Sequence, residues 1–325
     1  MSAVVCELCP RTCTIAEGRA GDCRIRVNLG GTLYATTYGR PSALHIDPIE
    51  KKPLYHFLPG SPIFSIATAG CNLHCEGCQN WQLSQRGGEE VDEIYRAEPD
   101  EVVAAARGKG CRAIAYTYSE PLIYYEYTYD TSVAARAAGL FNVLVTAAYS
   151  NPEPVRRMAR VVDAVTADVK AFDDRFYRDN CGGSLKPVLD ALVIFRQEGV
   201  WVEVSNLVIP TLNDDPAAIR ALARWIVAEL GPGTPFHLLR FHPDYKMQNL
   251  PPTPAETLEA ARAEALAAGL HFVYVGNQPS IEGESTFCPR DHTLLVRRAG
   301  FQILENHLVD GKCPTCGELI PGRWS

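Results

Sequence analysis

Three cysteines fall within eight residues of the run Ala69-Gly70-Cys71-Asn72-Leu73-His74-Cys75-Glu76-Gly77-Cys78-Gln79-Asn80-Trp81, spaced C-x3-C-x2-C. A structural zinc site closes with four ligands, and iron–sulfur clusters normally take four cysteines. Three thiolates with no fourth cysteine nearby suggest a four-iron cluster with one iron open to an exogenous ligand. An open metal position is what a catalytic site needs and a structural site avoids. The plainer alternative is a zinc ion completed by His74 or by a distant residue.

The other cysteines add two flanking clusters. Of the twelve, only Cys111 and Cys181 stand alone. Cys6, Cys9, Cys13 and Cys23 fit tetrahedral zinc, a second iron–sulfur cluster or no metal at all, and spacing does not separate these. Zinc would make this module a staple; a cluster would make it an electron relay. Near the other end, Cys313-Pro314-Thr315-Cys316-Gly317 is a zinc knuckle. Cys288-Pro289-Arg290-Asp291-His292 looks like its partner with the second cysteine missing. A Cys3His zinc site through Cys288, His292, Cys313 and Cys316 is the expectation, with His307 or a metal-free fold as alternatives. Cys111 reads as a buried apolar residue. Cys181, in Asn180-Cys181-Gly182-Gly183, reads as an inert thiol, or as a substrate-side thiol or hydrogen donor.

The elements that must position these residues are legible between Ser61 and Asn277. Strand candidates are Ile63–Ala69, Arg112–Tyr118, Asn142–Ala147, Ala164–Val169, Trp201–Val208, Phe236–Phe241 and Phe272–Val275. They are short and not strictly alternating, which suits parallel strands buried on both faces. Helical stripes lie between them. One is Leu185, Val188, Leu189, Leu192 and Phe195. A second starts at Asp214 or Asp215 with Pro216, carries Ile219, Leu222, Ile226 and Leu230, and stops at Gly231. A third is capped by Thr253, Pro254 and Glu256 and ends at Gly269. Repeated strand-then-helix units predict a parallel α/β barrel or a doubly wound sheet. The cysteine loop then follows the first strand, at the end where such sheets carry their sites. Asp47 to Gly60, rich in prolines and turn residues, reads as a linking stretch.

Composition narrows the class. The chain has 325 residues, 46% hydrophobic and 21% charged, as an ordinary globular protein does. A net charge of −7 argues against a broad grip on nucleic acid. No apolar run approaches the roughly 18 residues of a membrane span. The start, Met1 to Cys6, lacks the features of a secretory leader, so a cytoplasmic location is expected. Clustered cysteines in that setting point to metal chemistry rather than disulfides.

The C-x3-C-x2-C loop at the end of a first barrel strand resembles the radical S-adenosylmethionine (SAM) enzymes. Flanking text narrows the resemblance: Cys6-Glu7-Leu8-Cys9-Pro10-Arg11-Thr12-Cys13, the run Asp47 to Gly60, Cys78-Gln79-Asn80-Trp81, Ile209-Pro210 with Asn213-Asp214, and Phe241-His242-Pro243-Asp244-Tyr245. These look like the AmmeMemoRadiSam-system radical SAM enzymes, relatives of the activating enzymes for pyruvate formate-lyase and other glycyl-radical proteins. The resemblance implies a partial (β/α)6 TIM-like barrel over 46–280. A Cys-rich module would precede it over 1–45, and a zinc-ribbon-like tail would follow over 281–325. The family tends to carry C-x2-C in both halves of that tail; here Asp291 holds the second position.

The implied chemistry is specific. Cys71, Cys75 and Cys78 would hold a [4Fe–4S] cluster whose open iron chelates the amino and carboxylate groups of SAM. An electron would split the sulfonium into methionine and a 5′-deoxyadenosyl radical that abstracts hydrogen from a substrate. Ser119 and Glu120 match the stretch that binds the cofactor's amino group, Asp168 and Lys170 match an Asp-Leu-Lys at its carboxylate, and His237 matches a cofactor-contacting histidine. Asn80 and Thr146 are weaker matches. Each has a structural alternative: a rim ion pair for Asp168–Lys170, a helix cap for Glu120, a satisfied core histidine for His237. Gly77 stands where many members carry an adenine-facing aromatic, and Trp81 is the candidate replacement.

Implied partners are a ferredoxin- or flavodoxin-type electron donor, with Memo-like and AMMECR1-like proteins or a glycyl-radical protein. The substrate would be a glycine of a partner protein, or a small molecule or peptide. No nucleic acid and no membrane is implied. The competing function is a non-catalytic scaffold in which all three clusters hold zinc.

Overall fold

The computed structural model of the chain describes residues 3–325; Met1 and Ser2, which open the segment read as lacking a leader, lie outside the described residues. Its centre is one eight-stranded sheet: β1 (Ala43–Pro48), β2 (Pro62–Ala67), β3 (Ala113–Tyr116), β4 (Phe141–Thr146), β5 (Ala164–Asp168), β6 (Trp201–Val208), β7 (Phe236–Arg240) and β8 (Val273–Gly276). The spatial order is the sequence order, β1 to β8. Strands β2 to β8 run parallel, and β1 lies antiparallel on β2. Six helices fill the crossovers: α1 (Pro99–Gly108), α2 (Tyr125–Ala137), α3 (Pro152–Ala159), α4 (Leu185–Gln197), α5 (Pro216–Glu229) and α6 (Ala255–Ala267). This is the strand-then-helix array that the short apolar segments predict. All four residues of β3 are buried, as a parallel strand covered on both faces requires.

Helix stripes meet the sheet as their spacing implies. Val188, Leu192 and Phe195 of α4 are buried, as are Ile219, Leu222 and Ile226 of α5. Of the two aspartates before α5, Asp215 is the cap: its Oδ1 accepts from the Ala217 amide at 3.0 Å. Asp214 instead accepts from the Thr211 amide at 2.9 Å. The expected cap of α6 is corrected. Thr253 does not cap the helix, because its hydroxyl donates to the Val208 carbonyl (2.6 Å) and accepts from the Phe241 amide (2.8 Å). It joins the ends of β6 and β7 instead.

The linking stretch is also corrected. Its first residues belong to β1, so the expected boundary between 45 and 46 cuts a strand of the main sheet. The reason is physical: β1 carries His45 and Asp47 and ends in Pro48, a composition tolerated at a sheet edge that does not read as a strand. Downstream, Tyr55 and His56 form a polar knot with the sheet. The buried Glu203 carboxylate accepts from the amides of Tyr55 (3.0 Å) and His56 (2.8 Å) and from the Trp201 indole (3.0 Å). Burial lowers the His56 pKa to about 4, so its ring is neutral. The Pro321 carbonyl, 2.7 Å away, accepts a hydrogen bond from Nδ1–H, which leaves Nε2 to accept from the Tyr274 hydroxyl at 2.6 Å.

The termini pack onto this sheet and its helices. Near the amino end, Val4–Val5 pairs with Thr14–Ile15 and Arg26–Leu29 with Thr32–Ala35. Arg26 grips Glu126 of α2 through two contacts, at 2.6 and 2.7 Å. The tail forms a three-stranded antiparallel sheet from Thr286–Phe287, Leu294–Ala299 and Gln302–Asn306. Its Cys288, Leu295, Val296 and Ile320 share one apolar cluster with Tyr55, Phe272 and Tyr274 of the barrel. Among the described residues, no helix is long and apolar enough to cross a membrane.

Thr253 yields a test. Replacing it by Ser keeps both hydrogen bonds. Thr253→Val and Thr253→Asp each remove the donor to Val208 and should cost about 1–3 kcal/mol in urea unfolding. If Thr253→Asp is as stable as Thr253→Ser, the residue acts as a helix cap.

Candidate active site

The carboxyl ends of β2 to β8 surround one cavity of about 1190 Å³. Cys71, Cys75 and Cys78 line it from the loop after β2. That loop is held from both sides. Arg11 donates to the Asn72 carbonyl at 2.7 Å and also to the Gly182 carbonyl. The amides of His74 and Glu76 bond the carbonyls of Cys181 (2.8 Å) and Asn180 (2.9 Å). Gly70 has φ +93°, and a Cβ there would stand 2.7 Å from the Cys23 carbonyl oxygen. Only glycine lets the chain turn into the cysteine loop this close to the amino-terminal module.

His74 does not complete a zinc site. Its Nε2 lies 2.7 Å from Asp22 and its Nδ1 3.0 Å from Gln85, so both ring nitrogens are engaged away from the thiols. Cys181, a lone cysteine in the sequence, is buried in the same wall, and its thiol hydrogen-bonds the Cys75 sulfur. That bond favours the Cys75 thiolate against the opposing effect of burial, and Lys170 reinforces it. The same contact, with burial, pushes the Cys181 pKa up, so that thiol keeps its proton as a donor to Cys75. Three thiols from one loop, with His74 engaged elsewhere and the Cys181 thiol turned to Cys75 as a donor, line an open cavity and fit a [4Fe–4S] group with a free iron.

The remaining sequence candidates all reach this cavity. Asp168 and Lys170 follow the β5 tip, with Nζ 2.5 Å from Oδ2, and Ser205 donates to the other Asp168 oxygen at 2.7 Å. Burial opposes the Lys170 charge, but Asp168 and the nearby thiols more than offset it and raise its pKa well above the usual value. Glu120 is buried and accepts from the Leu122 amide (2.9 Å), the Thr146 hydroxyl (2.6 Å) and the Ala147 amide (2.8 Å). It therefore locks the β3 tip to the β4 tip. Ser119 donates to the Thr68 carbonyl at 2.6 Å, and Asn80 is exposed at the rim. His237 lines the wall, but its Nε2 is held 2.6 Å from Glu203 and its ring stacks on Tyr274. The satisfied-core alternative describes how its side chain is bonded.

Trp81 is corrected as the adenine-facing ring. It stacks on Tyr245 with centroids 5.1 Å apart, and the cavity wall is made without it. At Gly77 the nearest side-chain atoms are Met247 Sδ and Phe241, so a methionine occupies the space an aromatic would take.

Two groups escaped sequence reasoning. Lys52, 2% exposed, lies 2.6 Å from Asp47, which also accepts from Tyr118 (2.6 Å) and Ser65 (2.7 Å); Lys52 and Tyr118 line the cavity. Burial alone would raise the Asp47 pKa, but these partners hold it well below the usual carboxylate range. Charged residues within a proline-rich apolar run were the available signal. Arg298, buried over the Tyr55 ring, comes from the tail to the same wall, and nothing in its strand marked it.

The tail cysteines gather as expected, with a different fourth ligand. Cys288, Asp291, Cys313 and Cys316 bring their ligand atoms within 4.8 Å of one another. Cys288 and Cys316 sulfurs are 3.6 Å apart, and Asp291 reaches Cys313 at 3.7 Å. Asp291 thus replaces the expected His292. The chain turns at His292 (φ +58°), whose amide donates to the Cys288 carbonyl while the residue stays exposed. His307 is no ligand either, its Nε2 being 3.0 Å from Glu305. Three thiols and a carboxylate suit one tetrahedral zinc. Cys6, Cys9, Cys13 and Cys23 line a separate small cavity with Arg11, Arg26 and Asn72, and Cys111 is buried among apolar residues.

Comparison with known proteins agrees with this site. The Radical SAM superfamily model matches residues 65–223, which include the cysteine loop and the tips of β2 to β6. An uncharacterized protein of Methanocaldococcus jannaschii is 46% identical over 98% of this chain and 95% of its own length. The pyruvate formate-lyase-activating enzyme of Clostridium pasteurianum is 26% identical over 56% of this chain and 80% of its own. Among solved structures, a radical SAM methyltransferase from Sphaerobacter thermophilus aligns with a TM-score of 0.51 at 18% identity, covering 68% of each chain. The chain belongs to the radical SAM superfamily. It is a radical SAM enzyme, and that family's cofactors are a [4Fe–4S] cluster and SAM.

Two predictions follow from this geometry. Gly70→Ala should lower the unfolding free energy by about 1–3 kcal/mol and reduce iron uptake. Gly108→Ala, where a Cβ meets nothing within 4 Å, should do neither. Zinc measured by plasma mass spectrometry should fall by about one ion per chain in Asp291→Ala and stay unchanged in His292→Ala. The reverse pattern would restore His292 as the ligand.

Proposed function

We propose that Cys71, Cys75 and Cys78 hold the cluster, that the tips of β3, β4 and β5 hold SAM beside it, and that the enzyme removes a hydrogen atom from a bound substrate. When bound, the cluster supplies one electron and SAM supplies the 5′-deoxyadenosyl group that abstracts hydrogen. The observation that carries this is the convergence of three thiols from one loop on an open cavity, with the neighbouring His74 imidazole committed to Asp22 and Gln85.

The chain's own residues orient and exclude. Lys170 offers a cation at the β5 tip suited to the SAM carboxylate, and Asp168, anchored by Ser205, keeps that cation in place. Ser119, Glu120 and Asn80 supply polar groups for the amino and ribose positions. Glu120 is already fixed by three donors, so its carboxylate arrives preorganised. Thr146 acts through Glu120, and His237 acts through Glu203 as a wall residue. Leu207, Ile209, Leu239 and Met247 give the cavity an apolar side that keeps water from the reaction.

The cavity exceeds the roughly 300–1,000 Å³ common for a single small-molecule site, which leaves room for a substrate beside SAM. Two relatives are named as activating enzymes, for pyruvate formate-lyase and for benzylsuccinate synthase. A glycine of a partner protein is therefore one hydrogen donor. A small molecule or peptide is the other, in line with the resemblance to AmmeMemoRadiSam-system enzymes and their Memo-like and AMMECR1-like companions. A cytoplasmic ferredoxin- or flavodoxin-type protein would deliver the electron. The all-zinc scaffold loses its best fourth ligand with His74 turned away.

Anaerobically reconstituted protein, once reduced, should cleave SAM to 5′-deoxyadenosine, and Cys71→Ala should reduce this to background. Lys170→Met should weaken SAM binding by about 10- to 100-fold while leaving iron content intact, since a lost charge-assisted bond is worth about 1.5–3 kcal/mol. Unchanged cleavage in Cys71→Ala would refute the assignment. Deuterium passing from a labelled candidate into 5′-deoxyadenosine identifies the hydrogen donor.

A further inference from the structure

We propose that Cys6, Cys9, Cys13 and Cys23 bind a second iron–sulfur cluster and not a zinc ion. The sequence leaves the metal open, because four thiolates suit either. The spacing of the thiols separates the two. A tetrahedral zinc with bonds of about 2.3 Å draws its sulfurs to about 3.8 Å from one another. The tail quartet has that spacing: its Cys288 and Cys316 sulfurs are 3.6 Å apart. Among the described residues, the tail quartet is the group whose ligand atoms all lie within 4.8 Å. The amino-terminal four are arranged differently, standing around a cavity that every one of them lines. A cluster places irons and sulfides between its thiolates and holds them on the order of 6 Å apart, so it needs such a cage.

The surroundings of the cage suit a charged cluster. Cys6, Cys9 and Cys23 are buried, which shields the interior from water and oxygen. The Asp22 amide points at the Cys13 sulfur (3.5 Å). The Arg11 amide and the Asn72 side chain lie near Cys9, and the amides of Ile25 and Arg26 near Cys23, each favouring the thiolate. Hydrogen bonds to sulfur of this kind stabilise and tune iron–sulfur centres. The Arg26 guanidinium, held by Glu126, lines the cavity and offsets negative charge.

The cage also sits against the catalytic loop. Asn72, whose side chain reaches Cys9, follows Cys71 directly, and Gly70 abuts the Cys23 carbonyl. The two metal sites therefore share a wall of a few residues.

The test removes the central site and counts metals. A Cys71→Ala, Cys75→Ala, Cys78→Ala triple variant, reconstituted anaerobically with ferrous iron and sulfide, should keep about four irons with about one zinc per chain. On reduction it should give an electron paramagnetic resonance signal, and adding Cys9→Ser and Cys23→Ser should remove both iron and signal. The intact protein gives the same reading without any variant: about eight irons and one zinc per chain, against about four irons and two zincs for a zinc module. Iron at background in the triple variant with two zincs bound, or iron retained after Cys9 and Cys23 are replaced, overturns the proposal. Because the triple variant lacks the central thiols, its iron count is independent of whether they perform the proposed chemistry.

Discussion

Metal chemistry here is governed by a shortage of ligands. A loop of eight residues presents three thiols to the cavity, and the nearest imidazole is committed elsewhere. The commitment is structural: His74 is bonded by Asp22 of the amino-terminal module and by Gln85, just past the helical turn Trp81–Ser84. The module and the loop thus fix each other. Arg11 spans both the cysteine loop and the segment carrying Cys181, so the amino-terminal residues act as a brace as well as a metal-binding candidate. A cluster held by Cys71, Cys75 and Cys78 would keep an open iron only where neighbouring donors are held back, as His74 is here.

Around that loop, buried carboxylates and hydroxyls join successive strand tips. Glu120 links β3 to β4, Asp168 with Ser205 links β5 to β6, and Thr253 links β6 to β7. Glu203 gathers β6, β7 and the Tyr55–His56 turn beneath the cavity. In a low-dielectric interior each such carboxylate would be costly alone and is stabilising only as part of its network. The result is a rigid rim, which suits a reaction in which placement of an uncharged hydrogen atom decides the product. The tail extends this rim by sending Arg298 to the wall from a strand that shares its apolar cluster with the barrel.

Much of this was legible in the sequence, and the misses share a cause. Apolar strands buried on both faces, such as Ala113–Tyr116, announce themselves by composition, and the C-x3-C-x2-C spacing is local. Asp215 and the stripe of α5 were readable for the same reason. By contrast, Thr253 looked like a cap because its true partners, Val208 and Phe241, are 45 and 12 residues away. The strand Ala43–Pro48 was hidden by a buried charge whose partner, Lys52, only folding brings inward. Asp291 lost to His292 in the sequence because ligand type suggested histidine, while the turn at His292 decided otherwise. Trp81 found a partner ring in Tyr245, far along the chain. Local rules carried the elements, and long-range pairing decided the side chains.

The central claim is that the cysteine loop leaves one metal position for SAM itself. The direct measurement is electron paramagnetic resonance of the reduced, reconstituted enzyme, recorded with and without SAM bearing 15N at its amino group. The account predicts a cluster signal that shifts on SAM addition and acquires coupling to that nitrogen. A cluster signal unchanged at SAM concentrations shown by calorimetry to saturate the protein would contradict it.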